Sequence, residues 1–261
     1  MRYFIELAYD GTDYHGWQLQ PNAASVQEVM TDALRKLTRE PDLGVMGCGR
    51  TDTGVHADYF VAHFDTDAPL LTNEAEDKIL FKLNSILPAD VAVFSIQPVD
   101  DKLHSRFSAL SRTYHYRLTL DKRPMLRHFT FRPFFRLDFD AMNEAAEILK
   151  SVDDFTSFSK LGTQVKTNIC DVTVARWFEE APGRMTFEIR ANRFLRNMVR
   201  AVVGTLFEVG KGKMSLQEFR DVIERKDRCA AGSSVSAAGL SLVDIEYPEG
   251  RGFVPRARIV K

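Results

Sequence analysis

Cysteine is scarce in this chain of 261 residues: only Cys48, Cys170 and Cys229, far apart, odd in number and with no Cys-x-x-Cys pair. That argues against a disulfide framework and structural zinc, and for a reducing compartment, the cytoplasm. Long apolar runs are missing too, so no bilayer span and no membrane partner is expected. The first ten residues, interrupted by Glu6, do not read as a signal peptide. Low-complexity segments and sequence-level repeats are absent. No Gly-Lys-Ser/Thr follows the glycines at 47, 49 and 54, which fit neither a phosphate-binding loop nor a dinucleotide fingerprint. Net charge is nearly missing as well, at −1, which taken alone counts against a nucleic-acid partner.

The distribution of charge reverses that inference. Between Lys102 and Arg136 stand nine Lys/Arg (102, 106, 112, 117, 122, 123, 127, 132, 136) and a single acid, Asp121. The segment is therefore +8, and the rest of the chain sums to −9. Phe107, Tyr114, Tyr116, Phe129, Phe131, Phe134 and Phe135 are interleaved with the cations. Cations neutralise phosphates and rings stack on unpaired bases. The plainer reading is a solvated basic strand whose rings face the core. Eight uncompensated like charges are costly without a polyanion, which favours RNA.

Hydrophobic content of 44% with 27% charged residues is that of a soluble globular protein able to build a core without staples. Strands are predicted at 2–9, 43–48, 59–65, 91–97, 113–120, 171–179, 184–191 and 240–247. Helices are predicted after the Ser25–Glu28 capping box, and at 74–86, 139–150, 194–209 and 215–225. This pattern implies a mixed α/β (α+β) chain of two sheet-plus-helix halves, residues 1–105 and 106–261, joined near 98–112 with a cleft between them. In the 194–209 helix, Leu195, Met198, Val199, Val202, Leu206 and Val209 fall on one face. Arg193, Arg196, Asn197, Arg200 and Gly204 fall on the other. Gly204 costs about 1 kcal/mol of helix stability relative to Ala, and lets another backbone or a ligand approach closely.

The densest chemistry lies in Gly47-Cys48-Gly49-Arg50-Thr51-Asp52-Thr53-Gly54-Val55-His56-Ala57. Glycines permit a tight turn between flanking apolar strands, holding Arg50 and Asp52 at its tip. An ordinary hairpin loop with Asp52 capping a turn would share this composition. Asp52, His56, Asp58, His63 and Asp65 also suggest metal ligands, hence a metal-dependent hydrolase. His56 and His63, seven apart across loop and strand, match no helical two-histidine motif, and His63 reads as a half-buried strand residue. A non-catalytic RNA-binding module is the other alternative. It would keep the basic face without needing Asp52.

Gly49-Arg50-Thr51-Asp52-x-Gly54-Val55-His56-Ala57 resembles the active-site motif of the tRNA pseudouridine synthase A family. Five further blocks resemble that family in order: Tyr9 to Pro21, Ser105 to Tyr116, Asp154 to Phe158, Met198 to Gly204, and Gly239-Leu240-x-Leu242. Thr53 stands where alanine is usual and Phe60 where glutamine is common, both near possible substrate contacts. The resemblance implies the pseudouridine synthase fold with a basic active-site cleft. It implies isomerisation of uridines 38, 39 and 40 in the anticodon stem-loop of tRNA, by a homodimer, after the base flips out. Asp52 is then the catalytic aspartate, and Arg200 the candidate for its ion-pair partner. Arg50 fills the vacated space in the RNA or binds a phosphate, and Tyr114 stacks on the uracil and is the candidate to help with the C5 proton. Arg112, Arg193, Arg196 and Asn197 are the further substrate-binding candidates. An isomerisation requires no cofactor and no metal by stoichiometry.

Overall fold

The computed structural model describes residues 1–67, 69–70, 76–160, 162 and 166–256. Along the chain run β1 (Arg2–Tyr9), α1 (Val26–Thr38), β2 (Val45–Gly47), β3 (His56–Asp65), α2 (Glu76–Ile86), β4 (Val91–Val99) and β5 (Ser111–Thr119). There follow α3 (Phe139–Ile148), β6 (Val172–Ala181), β7 (Arg184–Ala191), α4 (Met198–Gly210), α5 (Leu216–Glu224) and β8 (Leu240–Glu246). The fold is mixed α/β, as the sequence implies. Residues 74 and 75 of the predicted second helix lie outside the described residues.

The chain forms two compact units, one of residues 1–110 with 242–261 and the other of residues 111–241. The last strand and the tail thus join the N-terminal unit, whereas the sequence pattern assigns them to the second half. The reason is polar as well as apolar. Glu6, fully buried in β1, accepts the Tyr59 hydroxyl at 2.7 Å and the Arg256 backbone N–H at 3.0 Å. The Gln97 side chain donates to Val254 O at 2.8 Å and accepts Val254 N–H at 3.2 Å. Phe253 packs on Phe4 with ring centroids 5.0 Å apart.

In the first unit the strands run β4-β1-β3-β8, with β2 also paired to β3. β1 is antiparallel to both β3 and β4. β1 is buried on both faces: Tyr3, Ile5 and Leu7 lie on the side of Phe60 and Phe64 of β3, and Phe4 and Glu6 on the side of Tyr59 and His63. α1 is capped by Ser25, whose hydroxyl accepts the Glu28 N–H at 3.3 Å, and buries Val26, Met30, Ala33 and Leu34. α2 protects β4: Asn84 donates to Val93 O and accepts Val93 N–H, both at 2.8 Å, and Glu76 accepts Ile96 N–H at 3.1 Å. Satisfied in this way, β4 offers fewer open backbone groups to another chain.

In the second unit β5, β7 and β6 form an antiparallel array. α4 differs from its predicted form in two respects. It starts at Met198 rather than 194, because Asn197 takes the left-handed conformation at φ 65° and breaks the helical path. It is also buried nearly all round: of its 13 residues, only Arg200 and Glu208 escape burial. The arginine face therefore reduces to Arg200, and Arg193, Arg196 and Asn197 occupy the turn before the helix.

Candidate active site

The loop carrying Asp52 is seated by backbone contacts from the segment after β1. Gly16 lies at φ 88°, and a Cβ there would stand 2.2 Å from Thr51 O. A Cβ on Gly11 would stand 2.0 Å from Val55 O. Only glycine tolerates such approach, and at Gly16 the positive φ adds a second reason. The Thr51 hydroxyl pairs with the Tyr9 hydroxyl at 2.9 Å and accepts Trp17 N–H at 3.1 Å. Gly54, itself at φ 75°, donates its N–H to Tyr14 O at 3.1 Å. A turn closed by Val55 N–H to Asp52 O at 3.1 Å places Asp52 between these anchors, half-buried. Below it Trp17 stacks on Phe60 at 4.2 Å.

Phe60 is therefore a fully buried support of the loop, stacked on Trp17, and not a surface residue beside the substrate. Thr53 is exposed. Arg50 is exposed and donates Nε–H to Gln18 Oε1 at 3.2 Å. In sequence, residues 9–21 stand as a signature with no role attached; their role is to hold the Asp52 loop. The glycines at 11 and 16, which let this segment approach Val55 O and Thr51 O, are the signal that could have shown it.

His56 Nδ1 lies 3.0 Å from both Gly11 N and Asp10 Oδ1. His63 is buried, not half-buried. Its Nδ1 meets the Ser105 hydroxyl at 2.7 Å and its ring the His104 ring at 4.5 Å. Burial, with the Arg2 charge nearby, pushes the His63 pKa down to about 4, so the ring is neutral at ordinary pH. Both histidines are thus engaged in holding loops. Among the described residues, no three His, Cys, Asp or Glu side chains are grouped so as to hold a metal ion.

The second unit carries the remaining candidates. Tyr114, on β5 opposite Ile189, meets Phe194 edge-on with centroids 5.1 Å apart at 87°. Phe194 is not among the residues the sequence singles out. Close to Tyr114 on β5, Arg112 donates Nη1–H to Asn192 O at 2.9 Å. Lys160 N–H donates to Arg196 O at 3.1 Å, pinning the turn of Arg193, Arg196 and Asn197. Arg200, partly buried, donates Nε–H to Val235 O at 2.8 Å.

Residues 102–136 divide between the two readings of their aromatics. Tyr116 is fully buried, and Phe131 stacks on Phe207. Phe107 and Phe134 are 78% and 86% exposed, too much for core packing. Each lies under an arginine, Arg106 at 5.8 Å and Arg132 at 5.5 Å from the ring centroid. Ring and cation presented together suit a nucleic acid, whose bases stack and whose phosphates are anionic.

A carboxylate held at the tip of a fixed turn, with cations and exposed rings elsewhere on the chain, fits an enzyme that acts on RNA. The family described as tRNA pseudouridine synthase matches residues 145–248. A tRNA pseudouridine synthase A of Bacteroides thetaiotaomicron is 52% identical over 95% of this chain and 91% of its own length. The protein of that name from Porphyromonas gingivalis is 51% identical over 95% of this chain and 97% of its own. The one from Chlamydia muridarum is 38% identical, covering 94% and 91%. The chain belongs to the tRNA pseudouridine synthase A family.

Proposed function

We propose that this chain converts uridine to pseudouridine in tRNA, at positions 38, 39 and 40 of the anticodon stem-loop, as a cytoplasmic homodimer without a cofactor. The reaction breaks the N1–C1′ bond, turns the uracil and joins C5 to C1′; the C5 proton leaves to solvent and N1 takes up a proton. Atoms balance within the substrate, so no redox or phosphoryl donor is consumed. Family membership supports the reaction. The observation that carries the assignment of residues is the Asp52 turn, fixed by Gly16, Gly54 and the Thr51 hydroxyl. A nucleophile works best when it is ionised and held in place before substrate arrives.

In this reading Asp52 is the nucleophile, at C1′ or at C6, and Arg200 supplies its counter-charge. Tyr114 stacks on the flipped uracil, its ring oriented by Phe194. Arg50 enters the space the base leaves or meets a phosphate. Arg112, Arg193, Arg196 and Asn197 hold the surrounding backbone. Flipping a stacked base costs a few kcal/mol, which phosphate contacts of the basic segment offset.

The test uses tRNA labelled with tritium at uracil C5. Asp52→Asn nearly preserves shape while removing charge. Tritium release is expected to fall to background while tRNA binding and folding persist. Release near the wild-type rate would remove Asp52 from the mechanism and favour the RNA-binding module.

A further inference from the structure

Arg200 is not positioned by its own helix alone. The segment Gly232-Ser233-Ser234-Val235 lies directly on α4. Val235 N–H donates to Arg200 O at 3.2 Å, and Arg200 Nε–H returns to Val235 O at 2.8 Å. The planar guanidinium is thereby held at its inner nitrogen, which limits its rotation about the Cδ–Nε bond. The approach is close because both backbones carry glycine. A Cβ on Gly204 would stand 1.8 Å from Ser233 O, and one on Gly232 would stand 2.7 Å from Gly204 O. Gly232 N–H also donates to the Thr205 hydroxyl at 2.9 Å.

The segment is latched from its other end by Arg228. Its Nη1–H donates to Gly232 O at 3.1 Å and its Nη2–H to the Ser234 hydroxyl oxygen at 2.9 Å. That same hydroxyl oxygen accepts Asn197 Nδ2–H at 2.5 Å. Ser234 thus joins Arg228 to the left-handed residue that opens α4, three positions before Arg200. Nothing in this cluster is needed to fill the core: Arg228, Ser234 and Asn197 are all partly solvent-accessible.

We propose that Arg228 and Ser234 are positioning residues for uridine isomerisation, acting through the Gly232–Val235 segment to set the direction in which Arg200 presents its guanidinium. This rests on the assignment of Arg200 as the counter-charge of the catalytic aspartate. The chemistry demands such control, because a long side chain with several rotamers must meet a short carboxylate in one geometry.

Single-turnover tritium release, tRNA affinity and thermal stability should be measured for Ser234→Ala, Arg228→Ala, Arg200→Ala and Arg200→Lys, and for each of the first two combined with Arg200→Lys. Lysine keeps a charge but has no Nε–H for Val235. Arg228→Ala is expected to slow release by about 10- to 100-fold and Ser234→Ala by about 3- to 10-fold, with tRNA affinity within about twofold of wild type. In the Arg200→Lys background neither should slow release further, because residues acting through one group are non-additive. Equal losses in both backgrounds would make the cluster merely structural and overturn the proposal, as would Ser234→Ala at the wild-type rate. If Arg228→Ala does not fold, the Ser234→Ala pair decides. Wild-type release by Arg200→Lys and Arg200→Ala alike would instead overturn the assignment of Arg200 itself.

Discussion

Asp52 in the first unit is a short side chain placed by backbone; Arg200 in the second is a long one placed by hydrogen bonds to its own peptide and guanidinium. Both sites use glycine for close approach, Gly16 against Thr51 and Gly204 against Ser233. The difference lies in what glycine achieves. A carboxylate one carbon from the backbone goes where its Cα goes, so fixing the 48–55 turn fixes the acid. A guanidinium three methylenes from its Cα needs a second anchor, and Val235 O supplies it. The first solution tolerates little change in the main chain. The second depends on side chains that can be removed with the main chain intact.

Backbone seating of Asp52 is most exposed to Gly16→Ala. The new Cβ meets a carbonyl oxygen at 2.2 Å on a residue already at φ 88°, so the loop must move. The expected loss is about 3 kcal/mol or more in stability. Activity should fall by about 100-fold or more even in the fraction that remains folded, since misplacement by about 1 Å has that effect. Denaturant unfolding and tritium release on the same preparation check both. A folded, fully active Gly16→Ala protein would show that backbone seating does not place Asp52.

The two units are unequally legible in the sequence. Around Asp52 the glycines, the flanking strands and the motif point to the loop, because a tight turn leaves a local signature. The supports of that loop are only partly legible. Phe60, which the family pattern sets near the substrate, is core, because burial against Trp17 depends on a partner 43 positions away. In the second unit the helical period runs through residues 194–197, and pattern alone cannot show that Asn197 leaves the helix. Its alternative conformation is held by Ser234, 37 positions on. The return of the tail to Glu6 spans 250 positions and has no local sign at all.

Charges away from both anchors separate placement of the reacting groups from attraction of the RNA. Arg106 and Arg132 sit over exposed rings and belong to the basic run of 102–136. Changing both to Gln, with Arg127→Gln, should weaken tRNA binding most at low salt. Every arginine–phosphate pair removed should lower the slope of log affinity against log salt by about one unit. Titrations at several salt concentrations read the slope directly. An unchanged slope would assign the charge of this segment to something other than phosphate, and an equal loss at every salt concentration would point to the rings.

The smallest effect concerns His63, which lies under the first unit's loops rather than in the chemistry. Its ring, buried and hydrogen-bonded to Ser105, has its pKa pushed down to about 4 from the usual 6.5. The unfolded chain therefore binds a proton that the folded chain does not between those two values. Stability must fall as pH is lowered through that window, and the contribution levels off below about 4. The expected loss is just under about 1 kcal/mol between pH 7.5 and 6, and about 2 kcal/mol by pH 5. Asp65 and Asp154, whose pKa values are held low by Arg2 and by Lys226 with Thr156, also lose stability on acidification. They act mainly below pH 4. His104, edge-on to His63 and itself held below its usual pKa by burial and by Arg2, titrates in the same window in both proteins. The difference between wild type and His63→Gln therefore reports the His63 ring together with its coupling to His104. Urea unfolding at pH 7.5, 6 and 5 should show the two proteins converging as pH falls, the variant starting lower because the Ser105 hydroxyl loses its contact with the imidazole and keeps the one to Met46 O. Parallel pH profiles would mean that His63 titrates normally, and that the segment of Ser105 and Phe107 is held by something other than a neutral imidazole.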